Sequence, residues 1–465
     1  MIAAQPVTGE VLLAGGPVES LDAYLAHGGG EGLRNGLALG PAAIIAEVTR
    51  SGLRGRGGAG FSTGAKWTSV ARDRCPTKYV VCNGAEGEPG TFKDRYLLRK
   101  NPYQLLEGLV IAAHAIGAQR AFVCLKKSFA PEIAAVRRAL AEMTAANSLG
   151  PVTVDVVLGP EDYLFGEEKA MLEVIEGGEA MPREADRPPY VHGLFVTGLD
   201  RPNPTVVNNV ETLSNVPHIL SRGAGWFRSM GTSDTPGTMV FTISGDVETP
   251  GVYELPMGTT LDELVLEHGG GPRPGRRLKA VFSGVSNAVI LPPALNARMD
   301  FGSMQAIGSG LGSGGFIVYD DTTCMVRVAH AFSEFLHAES CGQCTPCKFG
   351  TNQATQHLQR LMEGSGDSSD LAFVLEGAAM APQANRCYLP VEHSLVVPSI
   401  IRAFAAEFEQ HFNRGCHGCR DVIVPNIADF DEVTRAFAHV RPDAFRGNNI
   451  RASPLDITVT SGSTN

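Results

Sequence analysis

Four cysteines carry the most specific chemical signal in this 465-residue sequence. Cys341, Cys344 and Cys347 are spaced C-x2-C-x2-C, and Cys387 follows later in the chain. Three thiolates at this spacing cannot share one face of a helix, so the segment is predicted to be a loop around a bound group. A [4Fe–4S] cluster is the group that the spacing favours. The helix predicted after Cys347 would direct its positive N-terminal end at such an anion.

Two other interpretations of these cysteines stay open on spacing alone, a structural zinc site and ordinary buried thiols. Zinc usually takes its cysteines as two separated pairs rather than as three plus one. A further motif, Cys416-His417-Gly418-Cys419, has three interpretations. It is compatible with an incidental or interface pair, with a ligand pair completed by another subunit, or with a dithiol switch.

A glycine-rich stretch over residues 52–67 is the second candidate site. Gly55, Gly57 and Gly60 satisfy G-x-G-x-x-G, but the stretch follows a predicted helix, so it is not a standard dinucleotide-binding turn. Its backbone could lie flush against a flat or phosphorylated ligand, although a mobile solvated loop is the alternative. Side chains suited to charge and stacking flank the glycines: Arg54, Arg56, Lys66 and Phe61.

The candidate site residues must be positioned by the surrounding strands and helices, and the sequence predicts that these alternate in the βαβ manner. Strands are predicted at 79–82, 121–125 and 152–158, with helices at 41–51, 102–116 and 131–145. Polar residues from Asn83 to Arg95 follow the first strand, where open α/β sheets bind ligands. The pair Glu167 and Glu168 lies near a predicted helix start. Adjacent Asn208 and Asn209 need hydrogen-bond partners that a ligand would supply.

The pattern changes after residue 238. Short strands are predicted at 239–244, 251–255, 279–283 and 316–319 around a helix at 260–267, which indicates a small β-grasp-like domain. The helical period then returns at 324–338, after Cys347 and around 398–412. These helices are predicted to form a bundle that carries the cysteine loop.

Composition limits the classes of partner. The net charge of −10 and pI near 5.7 argue against nucleic acid or anionic membrane as the main partner. The sequence contains no run of about 18 apolar residues and begins with no signal-like segment, so we expect no membrane span. Ten cysteines arranged in this way fit a reducing compartment, and the expected location is cytoplasmic.

Together these motifs resemble the FMN- and NADH-binding flavoprotein (diaphorase) subunits of complex I, NAD-reducing hydrogenases and NAD-dependent formate dehydrogenases. The resemblance covers about residues 40–412. Its motifs are Gly-Leu-Arg-Gly-Arg-Gly-Gly-Ala-Gly-Phe from 52, Glu-Pro-Gly-Thr-Phe-Lys-Asp-Arg from 88, Gly-Glu-Glu from 166, Thr-Val-Val-Asn-Asn-Val-Glu-Thr from 205, and the cysteine loop.

The resemblance implies an α/β fold in which a Rossmann-like FMN/NADH domain precedes a β-grasp (soluble-ligand-binding) domain and a helical bundle with a [4Fe–4S] cluster. The expected divisions are an N-terminal lead-in (1–45), the FMN- and NADH-binding domain (46–235), the β-grasp domain (236–322), the cluster domain (323–412) and a C-terminal extension with the C-x-x-C motif (413–465).

The resemblance also implies residue roles. The implied FMN ligands are Gly55, Gly57, Lys66, Asn83, Tyr163, Gly166, Glu167, Asn208 and Asn209. The residues implied to face NAD(H) are Gly58, Phe61, Glu86, Glu88, Glu168 and Tyr190. The implied cluster ligands are Cys341, Cys344, Cys347 and Cys387. Among these, Glu168 is expected to orient the nicotinamide carboxamide, and Lys66 to tune the flavin.

The expected function is an NADH-oxidising or NAD-reducing oxidoreductase subunit that passes electrons between NAD(H), FMN and the cluster, because a flavin accepts electron pairs and releases them singly. The implied partners are a thioredoxin-like [2Fe–2S] subunit and a substrate-specific subunit such as a formate dehydrogenase or hydrogenase module.

Several positions depart from the family pattern. Ala85 replaces a carboxylate that contacts the flavin, Phe165 replaces a cysteine, and Lys169 replaces a threonine. Arg187 raises the question of a 2′-phosphate on the dinucleotide, although NAD is favoured. These departures favour a divergent member. They leave open an alternative function, an iron–sulfur scaffold that has lost flavin chemistry.

Overall fold

The computed structural model describes residues 9–184, 193–196, 201–422 and 424–440, and the backbone of 457–458. The helices are α1 Leu21–Ala26, α2 Glu31–Leu39, α3 Pro41–Ser51, α4 Thr63–Arg72, α5 Lys93–Lys100, α6 Pro102–Ile116, α7 Ala130–Ala145, α8 Glu168–Ile175, α9 Val210–Arg222, α10 Ala224–Phe227, α11 Phe301–Ala306, α12 Met325–Ala338, α13 Thr345–Glu363, α14 Ser368–Met380, α15 Leu389–Ala403 and α16 Ala405–His411.

The strands are β1 Tyr79–Gly84, β2 Arg120–Lys126, β3 Thr153–Gly159, β4 Gly193–Val196, β5 Pro202–Asn209, β6 Thr238–Gly245, β7 Gly251–Pro256, β8 Leu278–Ser283, β9 Gly315–Asp320, β10 Ile427–Asp431, β11 Ala436–His439 and β12 Ile457–Thr458. Short 3₁₀ turns lie at Tyr163–Gly166, Pro292–Ala294 and Ala381–Ala384, and a π-helix at Glu263–His268.

The first sheet has six strands in the order β12-β3-β2-β1-β5-β4. Strands β3, β2, β1 and β5 run parallel, whereas β4 and β12 are antiparallel to their neighbours. Both faces of this sheet are covered. Val80 and Cys82 of β1 pack into the larger core with α6 and α9, and the alternating Tyr79 and Val81 pack into a second core with α8. This is a doubly wound α/β arrangement.

The second sheet has four strands in the order β7-β6-β9-β8. Strand β6 pairs parallel with β9 and antiparallel with β7. The π-helix, α11 and these strands enclose a separate apolar core around Phe241, Phe316 and Met304. Helices α12 to α16 then pack around Phe332, Leu358 and Val397 in a bundle whose core extends to the cysteine loop.

Residues 420–422 and 424–440 form a strap, so named here, that runs from the end of the helical bundle back over the first domain. Its hairpin β10-β11 packs Ile427 and Phe430 against Phe92. Arg95 donates to the carbonyl of Ala428 at 2.8 Å. The strap therefore rests on the segment that follows β1.

The α/β class and the order of the three architectures agree with the sequence expectations, whereas the domain limits stay a prediction. Several helices were not predicted. No helix was predicted after the glycine-rich stretch, but α4 begins at Thr63, and none was predicted over α5 or over α9 to α11. Among the described residues, no helix has the length and apolar character required to span a bilayer.

Candidate functional site

The topology places polar side chains at one point of the first sheet. The strand order reverses between β1 and β5, and Asn83 at the end of β1 pairs in register with Asn209 at the end of β5. Ligands of open α/β sheets bind outside the carboxyl ends of the strands at such a reversal.

A large cleft opens at this point, with a volume of about 770 Å³. That volume lies within the range of small-molecule and cofactor sites. All but one of the predicted FMN and NAD(H) residues line it: Gly55, Gly57, Gly58, Phe61, Lys66, Asn83, Glu86, Glu88, Tyr163, Gly166, Glu167, Glu168, Asn208 and Asn209. The remaining one, Tyr190, lies outside the described residues, as does Arg187.

The glycine-rich stretch forms a closed loop on one wall of the cleft. The N–H of Gly55 donates to the carbonyl of Phe61 at 2.8 Å, and Arg54 Nε donates to the carbonyl of Gly60 at 2.8 Å. Ser62 then caps α4 by accepting from the N–H of Ala65. The loop therefore leads into a helix N-terminus at the cleft, an arrangement that favours a bound anion.

Arg56 was predicted to offer positive charge to a bound ligand, and the structure contradicts that prediction. Its side chain is fully buried, and its Nη2 donates to the carbonyls of Pro236 and Thr238 at 2.9 and 3.1 Å. Arg56 therefore joins the first domain to the start of β6. Arg54 and Lys66 line the cleft instead.

Lys66 is held by two partners in the cleft. Its Nζ lies 2.7 Å from Glu168 Oε2 and 2.9 Å from the carbonyl oxygen of Val207. The contact joins α4 to the first turn of α8. Glu167, the N-cap of α8, accepts from the N–H of Ala170 at 2.9 Å, so the acidic pair occupies the helix start as predicted.

Glu86 is a partly buried carboxyl against the N-terminal end of α5. It accepts from the N–H groups of Asp94 at 3.0 Å and Arg95 at 3.3 Å. Burial and the neighbouring Asp94 carboxylate raise the pKa of Glu86 to about 7. It can therefore change protonation near neutral pH while facing the cleft.

Glu392 is a second acidic group at the cleft, and the sequence did not predict it. Tyr163 Oη lies 2.6 Å from Glu88 and 3.2 Å from Glu392 of α15. Burial and the Glu88 carboxylate raise the pKa of Glu392 to about 8. Because one phenolic hydroxyl carries one proton, protonated Glu392 donates to Tyr163, which donates to Glu88. Glu88 also accepts from the N–H of Val285 at 2.8 Å, which links the first domain to the second sheet.

Asn208 and Asn209 were expected to find their hydrogen-bond partners in a ligand, but protein groups already contact both amides. Asn208 Oδ1 accepts from Trp67 Nε1 at 2.7 Å. Asn209 Nδ2 donates to Asp94 at 2.6 Å, and its Oδ1 accepts from Lys93 at 3.2 Å. Protein contacts thus fix the orientation of these amides at the cleft.

The opposite wall of the cleft comes from residues that the sequence analysis did not assign to the site. They lie in the second domain: Ser286, Asn287, Phe301, Gln305 and 309–313. The glycine density of 308–315 was the available signal, since it matches that of residues 55–60. The guanidinium of Arg54 lies 4.4 Å from the centre of the Phe301 ring, which closes this end of the cleft.

The cleft fits a polar, flat cofactor such as FMN. Within the described part of the chain, Thr63 Oγ1 and Ser313 Oγ are buried without a hydrogen-bond partner, and both residues line the cleft. Buried hydroxyls normally have partners, so these two suit a ligand with hydroxyl, carbonyl or phosphate groups.

The four predicted cluster ligands surround a second, smaller cavity. It is lined by Leu164, Ser340, Cys341, Cys344, Cys347, Arg386, Cys387, Leu389 and Pro390. All four thiols are free. Ser340 Oγ lies 3.3 Å from Cys347 Sγ, and Gln343 Nε2 donates toward Cys341 Sγ at 3.4 Å. A cage of free thiols with polar hydrogens directed at the sulfur atoms fits a [4Fe–4S] cluster.

Two helix N-termini border this cavity. Cys344 is the N-cap of α13, and Cys387 immediately precedes the start of α15 at Tyr388 and Leu389. Lys169, one of the family departures, donates to the carbonyl of Arg386 and lies 3.7 Å from Glu167. Positive helix ends and this ammonium group all stabilise an anionic cluster.

The cleft and the cluster cavity share a wall made by Leu164, Cys387 and Leu389. A cofactor in the cleft and a cluster in the cage would therefore be separated by a wall that is one residue thick. Phe165, the other departure near this wall, is fully buried in the core with Met171 and Ala85, so it packs rather than binds.

Three family models match separate parts of the chain. They are described as the Nuo51 FMN-binding domain (residues 48–218), the SLBB domain (240–290) and the NADH-ubiquinone oxidoreductase-F iron-sulfur binding region (327–411). The matches fall on the first sheet, the second sheet and the helical bundle.

Relatives share the greater part of the chain. A relative from Rhizobium meliloti, named as a second F subunit of NADH-quinone oxidoreductase, is 44% identical over 402 residues, which cover 84% of this chain and 94% of the relative. The F subunit of the same enzyme from Streptomyces coelicolor is 41% identical, and the match covers 85% of this chain and 89% of that relative.

A solved structure shares the fold. A chain of the NAD⁺-reducing [NiFe]-hydrogenase in the H₂-reduced state has 35% identity and a TM-score of 0.72. The match covers 82% of this chain but only 63% of the hydrogenase chain, so this protein spans less than two thirds of that length. The identity and coverage of the two bacterial relatives, together with the cleft and the cysteine cage of this chain, show that it belongs to the flavoprotein family that contains the F subunit of NADH-quinone oxidoreductase.

Proposed function

We propose that this protein is an NADH-oxidising or NAD-reducing subunit that passes electrons between NAD(H), FMN and a [4Fe–4S] cluster within a larger oxidoreductase complex. The observation that supports this most directly is the wall shared by the cleft and the cysteine cage, made by Leu164, Cys387 and Leu389. Electrons that enter at the cleft have a short path to the cage.

The residues of the cleft divide by position. Gly55, Gly57, Asn83, Gly166 and Asn209 lie around the carboxyl ends of β1 and β5 and would hold FMN, with Lys66, Tyr163, Glu167 and Asn208 beside them. Gly58, Phe61, Glu86, Glu88 and Glu168 would face the dinucleotide. Phe61 is 60% exposed, which suits a ring that gains a stacking partner only on binding.

When bound, FMN supplies the conversion between electron pairs and single electrons. The protein has no need of an acid or base for hydride transfer, and its side chains act by position. Lys66 places positive charge between Glu168 and the Val207 carbonyl, and Glu168 would orient a carboxamide. Leu164 and Leu389 are 4% and 2% exposed, and their apolar side chains would keep water out of the shared wall.

The partners proposed are a thioredoxin-like [2Fe–2S] subunit and a substrate-specific subunit. Support comes from a relative that is named as an F subunit of NADH-quinone oxidoreductase, and from the matched chain in the structure of an NAD⁺-reducing [NiFe]-hydrogenase. The proposed location is cytoplasmic, for which the ten free cysteines are the supporting observation.

An anaerobic absorption spectrum tests this function. The purified chain with its cofactors should show flavin bands that bleach when NADH is added, together with broader cluster absorbance. A sample with cluster absorbance and no flavin, even after incubation with FMN, would favour the scaffold alternative. Ala85 is the observation behind that alternative, because it lines the cleft where the family has a carboxylate.

A further inference from the structure

A compact group of metal-ligand side chains lies outside both cavities. It consists of Cys324, His411, Cys416 and Cys419, whose ligand atoms all lie within 4.8 Å of one another. Cys324 Sγ is 3.4 Å from His411 Nε2 and 3.6 Å from Cys416 Sγ. A tetrahedral zinc ion with its usual bond lengths holds its ligand atoms roughly 3.3–3.8 Å apart. The sulfur–sulfur distance is far longer than that of a disulfide.

Three separate segments bring these ligands together. Cys324 is the N-cap of α12, His411 is the last residue of α16, and the two other cysteines lie in the loop that follows. Gly418, between the two cysteines, has a φ of +74°, which lets the loop turn tightly inside the C-x-x-C motif. The N–H of Cys416 donates to the carbonyl of Met362 at 2.8 Å, which fixes the loop against the end of α13.

The histidine is oriented for a metal. His411 Nδ1 lies 2.7 Å from the carbonyl oxygen of Glu407 and donates its proton there. The lone pair of Nε2 is then directed at the sulfur atoms, as in metal sites where a second contact fixes the histidine tautomer. Cys324 and His411 are also buried, at 4% and 8% exposure.

Charge is also balanced at this group. Three thiolates and a neutral imidazole around a divalent ion carry a net charge of −1. The guanidinium of Arg327 lies near Cys416 and Cys419, so a cation is present to offset that charge.

We propose that Cys324, His411, Cys416 and Cys419 bind one structural zinc ion, separate from the cluster of Cys341, Cys344, Cys347 and Cys387. Three cysteines and one histidine are a common closed set for structural zinc, with no position left open for a substrate. The two ligands that the C-x-x-C motif lacks come from the same chain rather than from another subunit.

The position of the site indicates what the zinc would stabilise. The strap begins one residue after Cys419, where Arg420 pairs with Asp246 of the second domain. Farther along, the carbonyl of Pro425 accepts from the N–H of Gly90, and Tyr96 donates to Glu432 at 3.0 Å. Zinc would therefore fasten the strap to the helical bundle at one end, while its hairpin rests beside the segment that carries Glu86 and Glu88.

Metal analysis of the full-length protein with FMN and cluster tests the proposal. We expect one zinc per chain in addition to about four irons. Zinc K-edge X-ray absorption should show three sulfur neighbours at about 2.3 Å and one nitrogen at about 2.0–2.1 Å. A wild-type protein that holds no stoichiometric zinc after exposure to it, or zinc with only oxygen and nitrogen neighbours, overturns the proposal. An iron count well above four, with iron at this site, does so too.

Variants give a second line of evidence. The double variant Cys416→Ser, Cys419→Ser should lose the zinc and keep the irons, whereas Cys75→Ser should keep both, because Cys75 is buried beside Asn203 in the first domain. His411→Cys should retain zinc with four sulfur neighbours. If the double variant does not fold, the zinc K-edge spectrum of the wild type and the zinc content of His411→Cys still test the proposal. Zinc retained by a folded double variant contradicts the proposal.

Discussion

Lys66 Nζ lies 2.7 Å from Glu168 Oε2 across the cleft, so the helix that follows the glycine-rich loop and the helix that follows the acidic pair meet in one ion pair. Each side chain is about one quarter exposed, and its charge is only partly screened by water. The pair joins α4 to the first turn of α8 at the wall of the cleft.

The first prediction removes one half of this pair. Lys66→Met should lower kcat/KM for NADH-dependent dye reduction at least about tenfold, because the variant loses the ammonium group that Lys66 places beside Glu168 in the proposed cofactor cleft. Steady-state kinetics of the protein loaded with FMN and cluster provide the measurement.

The matched control is Lys127→Met, at an exposed lysine away from the cleft. It should leave the kinetics unchanged. Equal kinetics for the Lys66 variant and the wild type would show that the ion pair has no part in the reaction.

The second prediction concerns the glycine loop. A methyl group on Gly55 would meet only the Phe61 main chain, at ordinary distances of 3.6 and 3.8 Å, and Gly55 lines the cleft. Gly55→Ala should therefore fold normally, with an apoprotein melting temperature within about 2 °C of the wild type, while the FMN content falls at least about threefold. Fluorescence of released flavin and thermal denaturation measure the two quantities.

Gly225→Ala serves as the comparison, since a methyl group there meets no atom within 4 Å and the residue lies outside the cleft. It should change neither quantity. Full FMN occupancy in Gly55→Ala would mean that the cofactor does not approach this part of the loop.

Much of the fold could be predicted because its signals are local. Helix α6 has the predicted bounds, Pro102 to Ile116, with Pro102 in the first turn and Gly117 at the end. Helix α5 was missed because it is rich in charge, and Lys93, Asp94 and Arg95 are buried by partners distant in sequence. The Lys93 ammonium lies 3.0 Å from Glu211, and no local sequence pattern predicts that contact.

The site was predictable where a resemblance supplied its residues and less so where two domains meet. Glu392 was missed because its role depends on Tyr163 and Glu88, which lie on other elements. Arg56 was misassigned for the converse reason. A charged residue among glycines suggests a ligand, yet its partners are carbonyls at the start of the second domain. The burial of an arginine cannot be read from its neighbours in sequence.

The third prediction separates the two cofactors. Cys344→Ser should lose the cluster absorbance and iron, because it removes one of four thiols of the cage. The flavin should still bleach with NADH, since the cleft residues are unchanged. Cys75→Ser, outside both cavities, should retain cluster and flavin. A Cys344 variant with its full iron content would exclude this residue as a ligand.

The fourth prediction follows from the raised pKa of Glu392. Burial, with the nearby Glu88 carboxylate, raises the pKa to about 8 in the folded protein, whereas the ordinary value is 4.5. Between these values the folded state holds one more proton than the unfolded state. The free energy of unfolding therefore decreases as the pH rises from 4.5 to 8, by at most about 1.4 kcal/mol per pH unit from this group.

Glu392→Gln should remove this contribution, because the amide can donate to Tyr163 as the protonated acid does but cannot ionise. Relative to the wild type, the variant should gain stability steadily from pH 5 to pH 8, as measured by urea denaturation of the two proteins at several pH values. Glu376→Gln, at an exposed position on α14, should follow the wild-type curve. Parallel curves for Glu392→Gln and the wild type would show that Glu392 ionises at its ordinary pKa, and that the proton between it and Tyr163 is absent at neutral pH.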